Sequence, residues 1–317
     1  MFWNNLPKPF FVMAPLKDVT DAAFRALIAK RGKPDVFWTE FVSADGLYHT
    51  CEGQTFTKKE NPLMRDLAFS EDERPIVAQL FSNKPEMIAY AVKLVAELGF
   101  DGVDLNMGCP DKSVEKQGAG ASLMKNPKLA VEIIRAAKEA SNLPVSVKTR
   151  VGYNKELLEE WLPILLEAAP AAITIHLRTR KDMSLVPANW ELMKKAVEIR
   201  NRVNPDVLLI GNGDVESIEE GNRLALDTGC DGIMIGRGMF GNPWVFERIT
   251  RFDLENSDLR SNLDNPHGLQ EKLDALVELA HNFEKISPPK NFSILKKHIK
   301  AFVTGFDGAA DLRAELM

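Results

Sequence analysis

Eight short runs of apolar, β-branched or aromatic residues recur along the chain, at positions 10–14, 36–41, 76–80, 102–105, 145–148, 172–176, 207–210 and 233–235. Amphipathic stretches of helical period lie between most of them, at 85–98, 127–140, 156–168, 190–203 and 216–228. Apolar runs without a polar face suit strands covered on both sides. Their eightfold alternation with helices predicts an α/β fold, a parallel (β/α)8 TIM barrel. A doubly wound open sheet is the structural competitor. The chain has 317 residues, 45% of them hydrophobic, which is enough for such a barrel and a further unit. Residues 253–268, rich in Asn, Asp and Ser and containing Pro266, read as a linker. Beyond it lie two apolar stripes at helical spacing, first Leu269, Leu273, Leu276, Ala280 and Phe283, then Leu295, Ile299, Phe302 and Phe306. The expected division is therefore a barrel over 1–252, a linker over 253–268 and a small C-terminal all-helical domain over 269–317.

Three cysteines, Cys51, Cys109 and Cys230, are an odd number without metal-ligand spacing. Neither a disulfide framework nor a metal site is expected, and a reducing cytoplasm is the expected setting. The N-terminus lacks a basic start followed by a long apolar core, and the apolar stretch near Ile164 is broken by Glu167 and Pro170, so neither export nor a membrane span is expected. No obligate protein partner is evident, and a monomer is expected. The net charge of −5 argues against a polyanionic partner in general, yet affinity for nucleic acid depends on where cations cluster. Lys285, Lys290, Lys296, Lys297 and Lys300 form the clearest basic island, which a solvated helix face would also explain.

Polar residues gather where the runs end, which is where barrel enzymes keep their chemistry. The third run ends with Gln79, the fourth leads to Asn106 and Cys109, the fifth to Lys148 and Arg150, and the sixth to His176 and Arg178. A Lys or His finishing an apolar strand is costly to bury without a partner or ligand. After the seventh and eighth runs come Gly211-Asn212-Gly213-Asp214 and Gly236-Arg237-Gly238. Turns of this kind beside a helix start form the phosphate cradle of many barrels, and Arg237 adds a charged fork. Across the mouth stand Pro15, Leu16 and Gln79, so a phosphorylated planar cofactor is expected, and flavin mononucleotide (FMN) fits. Lys148 would face the electron-rich edge of the reduced ring, and Gln79 its pyrimidine edge; His176 would do likewise or be a structural residue. By contrast, Gly118-Ala119-Gly120 follows a loop and opens no first βαβ unit, so it is not a dinucleotide fingerprint.

In Asn106-Met107-Gly108-Cys109-Pro110 a thiol sits in a rigid Gly/Pro turn after the fourth run. A thiol so placed can donate a proton, attack a substrate or bind a metal; it can also be a small packed residue.

These residues together resemble the tRNA-dihydrouridine synthase family. The resemblance runs from Met13-Ala14-Pro15, Val19-Thr20-Asp21 and Phe24-Arg25, through Asn106 to Pro110, Gly118 to Ala121 and Val147-Lys148-Thr149-Arg150, to Arg178-Thr179-Arg180. It continues through Asn212-Gly213-Asp214-Val215 and Met234 to Gly238, and reaches the tail at Lys296-Lys297-His298 and Leu312-Arg313. It implies an FMN-binding barrel joined to a helical tRNA-binding domain, and NADPH-dependent reduction of a uridine C5=C6 bond in tRNA to 5,6-dihydrouridine. Hydride would pass from flavin N5 to C6, and Cys109 would protonate C5 as a neutral thiol. By carry-over the flavin contacts are Pro15, Leu16, Gln79, Lys148, His176, Asn212, Gly213, Asp214, Gly236 and Arg237. Asn106 and Arg150 would serve the pyrimidine, and Arg178, Lys296 and Lys297 would face the RNA. Leu16-Lys17-Asp18 after Pro15, Leu177 after His176 and Lys181-Asp182-Met183-Ser184 beyond Arg180 depart from the usual pattern. Alternatives are a dihydroorotate dehydrogenase-like flavin barrel, from which Asp111 after Pro110 departs, and a non-catalytic tRNA-binding protein.

Overall fold

Alternation within each run decides which side chains enter the barrel and which meet the helices. The computed structural model describes residues 1–52, 57, 60–248 and 267–317. Among them are nine parallel strands: β1 (Phe10–Met13), β2 (Phe37–Trp38), β3 (Val42–Ser43), β4 (Ile76–Phe81), β5 (Gly102–Asn106), β6 (Val145–Arg150), β7 (Ala172–His176), β8 (Leu208–Asn212) and β9 (Gly232–Ile235). The intervening helices are α1 (Ala22–Arg31), α2 (Ala44–Glu52), α3 (Pro62–Asp66), α4 (Pro85–Glu97), α5 (Lys112–Lys116), α6 (Pro127–Ala140), α7 (Leu158–Glu167), α8 (Glu191–Val203) and α9 (Ile218–Thr228). Strand order is β1-β9-β8-β7-β6-β5-β4-β2, with β3 also on β4. A parallel bridge between Val12 and Val36 brings the two ends of the sheet together, with Met13 N–H donating to the Val36 carbonyl at 3.1 Å. The (β/α)8 barrel expected from the alternation is the architecture observed.

Phe10, Val12, Trp38, Val77, Ala172, Ile210 and Met234 fill the barrel interior, and Trp3 plugs its lower end against Phe10 and Trp38. Their neighbours Phe11, Met13, Phe37, Val103, Val147, Ile173 and Ile233 face the helices in a separate core. The expected single strand over 36–41 is split into β2 and β3. Between them the Thr39 hydroxyl accepts the Gln79 N–H at 3.1 Å, and Glu40, fully buried, accepts the Asp18 N–H. These side chains take over backbone hydrogen bonding and interrupt the strand.

The tail forms α10 (Leu269–Glu284), α11 (Lys296–Phe302) and α12 (Ala309–Leu316). Helix α10 buries Ala275, Leu276, Leu279 and Phe283 and packs on α1, where Lys30 and Arg31 grip Glu278 at 3.0 and 2.6 Å. Leu269, expected in the apolar stripe, is 43% exposed because it lies in the first turn. The basic island is divided. Lys290 is buried with only 3% of its side chain exposed, 2.5 Å from Glu40, 3.5 Å from Asp66 and 3.8 Å from Asp21. It ties the tail to the loops after β1 and β2 and is not available to RNA. Lys285, Lys296, Lys297 and Lys300 remain exposed, while His298 turns inward between Phe24 and Phe240. All of the expected linker except His267 and Gly268 lies outside the described residues.

Candidate active site

The strand ends open on a cleft of about 1120 Å³. All ten residues expected to touch the cofactor line it, as do Cys109, Asn106, Arg150 and Arg178. Lys296 and Lys297 do not; they sit on α11, where Lys296 reaches the backbone oxygen of Met317.

The Cys109 turn is held from three directions. Asn106 Oδ1 accepts the N–H groups of Gly108 and Cys109 at 3.2 and 2.9 Å. Arg150 Nε donates to the Gly108 carbonyl at 2.9 Å, and Ala121 N–H donates to the Cys109 carbonyl at 3.0 Å. Gly120, at φ +61°, lies so close beneath that a Cβ there would be 2.8 Å from the Cys109 carbonyl oxygen. Burial pushes the thiol above its ordinary pKa, against the opposing pull of the Asp111 N–H, Arg150 and Lys148. The side chain is therefore a neutral S–H at physiological pH, a form that carries a proton it can donate and that ligates metal poorly.

Lys148 donates to Asn212 Oδ1 at 3.0 Å, and Asn212 Nδ2 to the Met234 carbonyl at 2.9 Å. Burial and the Arg150 charge bring Lys148 down to about 8, which leaves it cationic at neutral pH. Burial, then the charges of Arg150, Lys148, Arg178 and Arg237, drive His176 far below its usual range. It is a neutral imidazole. Arg178 lies 3.2 Å from its Nε2 and can only donate, so Nε2 accepts and Nδ1 carries the proton. The single 3-10 turn Arg237–Met239 leaves its first N–H groups without helical acceptors beside Gly213, which has φ +135°. Asp214 joins Arg178 to Arg237; their hydrogen bonds and charges hold its carboxyl below the usual range despite partial burial.

Besides Asn212 and Asp214, four further expected contacts carry internal duties. Asn106, expected to position the pyrimidine, has both ends of its amide engaged within the protein, since Nδ2 donates to Gln79 Oε1 at 3.0 Å. Gln79, expected on the flavin edge, also donates through Nε2 to Asp104 Oδ2 at 2.6 Å. Arg178, expected to face RNA, is buried, with Nε on the Val186 carbonyl at 2.5 Å. Arg150 laces the thiol turn to the carbonyls of Thr179 and Met183 at 3.1 and 3.0 Å. The reason is common to all: a buried donor or acceptor must be satisfied, and the nearest groups belong to neighbouring strands and to the loop after β7.

The family model for dihydrouridine synthase (Dus) matches residues 12–317. The chain belongs to the dihydrouridine synthase family. A "probable tRNA-dihydrouridine synthase" of Staphylococcus aureus (strain MRSA252) is 41% identical over 320 residues, covering 100% of this chain and 90% of the relative. A "probable tRNA-dihydrouridine synthase 2" of Bacillus subtilis (strain 168) is 41% identical over 320 residues, covering 100% of this chain and 91% of the relative. Among solved structures, histamine dehydrogenase from Rhizobium sp. 4-9 gives a TM-score of 0.58 at 15% identity over 77% of this chain and 46% of that one. Morphinone reductase in complex with tetrahydroNAD gives 0.51 at 14% identity over 81% and 90%. These two likenesses concern the barrel fold.

In this dihydrouridine synthase family member, two buried carboxylates that support the loops of the site stand outside the residues expected there: Asp104 and Glu40. Asp104 carries a readable signal, because it stands two residues before Asn106 and so shares its inward face. Gly120 stands in a string that carries the family resemblance without an expected role, and here it packs beneath the Cys109 carbonyl. Nothing local marks Glu40, whose partner Lys290 is 250 residues away. Among the described residues no cluster of His, Cys, Asp or Glu could hold a metal ion, and no helix is long and apolar enough to cross a membrane.

Proposed function

We propose that the protein is a tRNA-dihydrouridine synthase that reduces a uridine C5=C6 bond, with FMN in the cleft and NADPH as reductant. The observation that carries this reading is the neutral Cys109 thiol, aimed by a clamped turn into a cleft with cations on one side and a phosphate-type turn on another.

The donor set fits FMN. Arg237 and the N–H groups of its 3-10 turn would take the phosphate, Pro15 and Leu16 would cover a ring face, and Lys148 with the His176 Nδ1–H would face the polar ring edge. Bound FMN supplies the hydride that adds to uracil C6. Electron density then moves toward C5 and the C4 oxygen, and a proton must arrive at C5. Cys109 Sγ gives up that proton, and the thiolate regains one from solvent. Lys148 and Arg150 place positive charge near the thiol, where it steadies the charge that develops before protonation. The tail helices after residue 268 would hold the tRNA through Lys296 and Lys297, offsetting the few kcal/mol that unstacking the base costs.

The test is Cys109→Ala. Bound flavin and its reduction by NADPH are expected to persist, while dihydrouridine formation, measured by mass spectrometry of digested tRNA, is lost. A variant that modifies tRNA at the parent rate would assign the proton to another group, and a purified protein that neither carries nor takes up flavin would overturn the reading.

A further inference from the structure

A fully buried carboxylate lies beneath the thiol turn, and it has no place in the chemistry above. Asp104 is at the middle of β5, two residues before Asn106, with no exposed surface. Its Oδ2 accepts from Gln79 Nε2 at 2.6 Å, and its Oδ1 accepts from Ser146 Oγ at 2.6 Å. Gln79 Oε1 accepts from Asn106 Nδ2 at 3.0 Å, and Asn106 Oδ1 takes the Cys109 and Gly108 N–H groups. We propose that Asp104 is a positioning residue for Cys109, acting through the Gln79 and Asn106 carboxamides whose orientations it fixes.

A carboxamide has an accepting end and a donating end of nearly the same shape, so a chain of two could in principle run either way. An ionised carboxylate can only accept. With Asp104 at its foot the chain has one polarity. Reversing Gln79 would set its oxygen against the carboxylate and its amino group against the Asn106 amino group, two like contacts in a buried site. The polarity brings Asn106 Oδ1, an acceptor, to the turn where two backbone N–H groups need one. Ser146 holds the second carboxylate oxygen, so Asp104 itself does not rotate. Burial pushes the Asp104 carboxyl up to about 6, and its hydrogen bonds to Ser146 and Gln79, then the charge of Lys148, oppose that rise. At neutral pH it is ionised, and both of its oxygens accept. The catalytic consequence rests on the reading of Cys109 as proton donor; the positioning itself does not.

The other two cysteines provide an internal control, because Cys230 is buried on a different wall and Cys51 is half-buried on α2. Iodoacetamide labelling of the folded protein at fixed pH, read cysteine by cysteine by mass spectrometry, would compare the parent with Asp104→Leu and Asp104→Asn. Asp104→Leu removes the acceptor and is expected to speed Cys109 labelling at least about tenfold, a factor equivalent to about 1.4 kcal/mol and the low end for losing a hydrogen bond to a charged group. Cys230 is expected to stay protected. Asp104→Asn can still offer oxygen to Gln79 and nitrogen to Ser146, so its Cys109 labelling is expected within about threefold of the parent. Dihydrouridine formation should follow the same order. If Asp104→Leu does not fold, Gln79→Met cuts the same chain at its next link and carries the same expectation. Unchanged Cys109 labelling, or Cys230 rising in step with it, would overturn the proposal, as would a loss in Asp104→Asn equal to that in Asp104→Leu. Cys109→Ala, run alongside, separates this outcome from failure of the proton-donor reading: if it modifies tRNA normally while Asp104→Leu still frees the thiol, the relay stands and the donor assignment falls.

Discussion

Replacing Lys290 by methionine keeps the length of the side chain and deletes the cation at the junction of tail and barrel. Its ammonium lies 2.5 Å from Glu40, 3.5 Å from Asp66 and 3.8 Å from Asp21, and none of these side chains is more than 4% exposed. Asp66 would keep Lys17 at 2.7 Å and Arg65 at 3.1 Å. As direct hydrogen bonds Glu40 would keep the Asp18 N–H, and Asp21 the Phe24 N–H at 3.1 Å. Removing one partner of a buried ion pair typically costs about 3–5 kcal/mol, and because each acid keeps another cation nearby, Lys17 and Arg65 for Asp66, Lys17 for Glu40 and Arg25 for Asp21, we expect the lower half, about 3–4 kcal/mol. The loss has a pH signature. Stranded carboxylates acquire folded-state pKa values above their unfolded ones, so the penalty is absent below about pH 4 and complete once pH has passed the raised values. Urea unfolding followed by circular dichroism at pH 5 and pH 8 measures both effects. Lys290→Met combined with Glu40→Gln should recover most of the loss. A cost under about 1 kcal/mol, or one equal at both pH values, would refute the view that this lysine anchors the tail electrostatically.

Other expectations follow from single contacts. Gly120→Ala puts a Cβ 2.8 Å from the Cys109 carbonyl oxygen and from Val114 Cγ1 at φ +61°, so about 1–3 kcal/mol of stability should be lost together with dihydrouridine formation. A variant of parent stability and activity would mean the turn is not tightly packed. Because burial pushes Asp104 up to about 6 from 3.8, its folded-state pKa exceeds the unfolded one, and keeping it ionised costs stability as pH climbs through that window. Asp104→Asn should therefore gain stability with rising pH, by up to about 3 kcal/mol at pH 8 and little near pH 4, in urea titrations; a flat difference would contradict this. Charge reversal at Lys296 and Lys297 should weaken tRNA binding and lower the slope of log affinity against log salt by about 2, one for each phosphate contact. An unchanged slope in a filter-binding series would leave these lysines as a solvated face.

Much of the architecture is legible along the chain. The run at 172–176 and the helix at 127–140 fall on the observed Ala172–His176 and Pro127–Ala140, because a strand covered on both faces and an amphipathic helix each write their own period. The second run reads as one strand and is two, because Glu40 turns inward to meet a lysine that no local pattern points to. Within the site the residue types are readable, since Lys148, His176 and Cys109 stand at strand ends where apolar patterning stops. Their partners are less so. Asn106 and Gln79 look like groups for a ligand, and each has both ends of its amide engaged within the protein; Arg178 and Lys290 look like cations for RNA, and both are buried against carboxylates.

By itself the sequence determined the barrel, the ring of polar strand ends and the thiol among them, because periodicity and position after a strand are properties of neighbours along the chain. The tertiary structure decided which of those polar groups remain available to a ligand. Hydrogen bonds and ion pairs act over a few ångströms through space, so a residue's duty depends on what the fold brings beside it: Asp104 on the next strand for Gln79, and Glu40 from 250 positions away for Lys290.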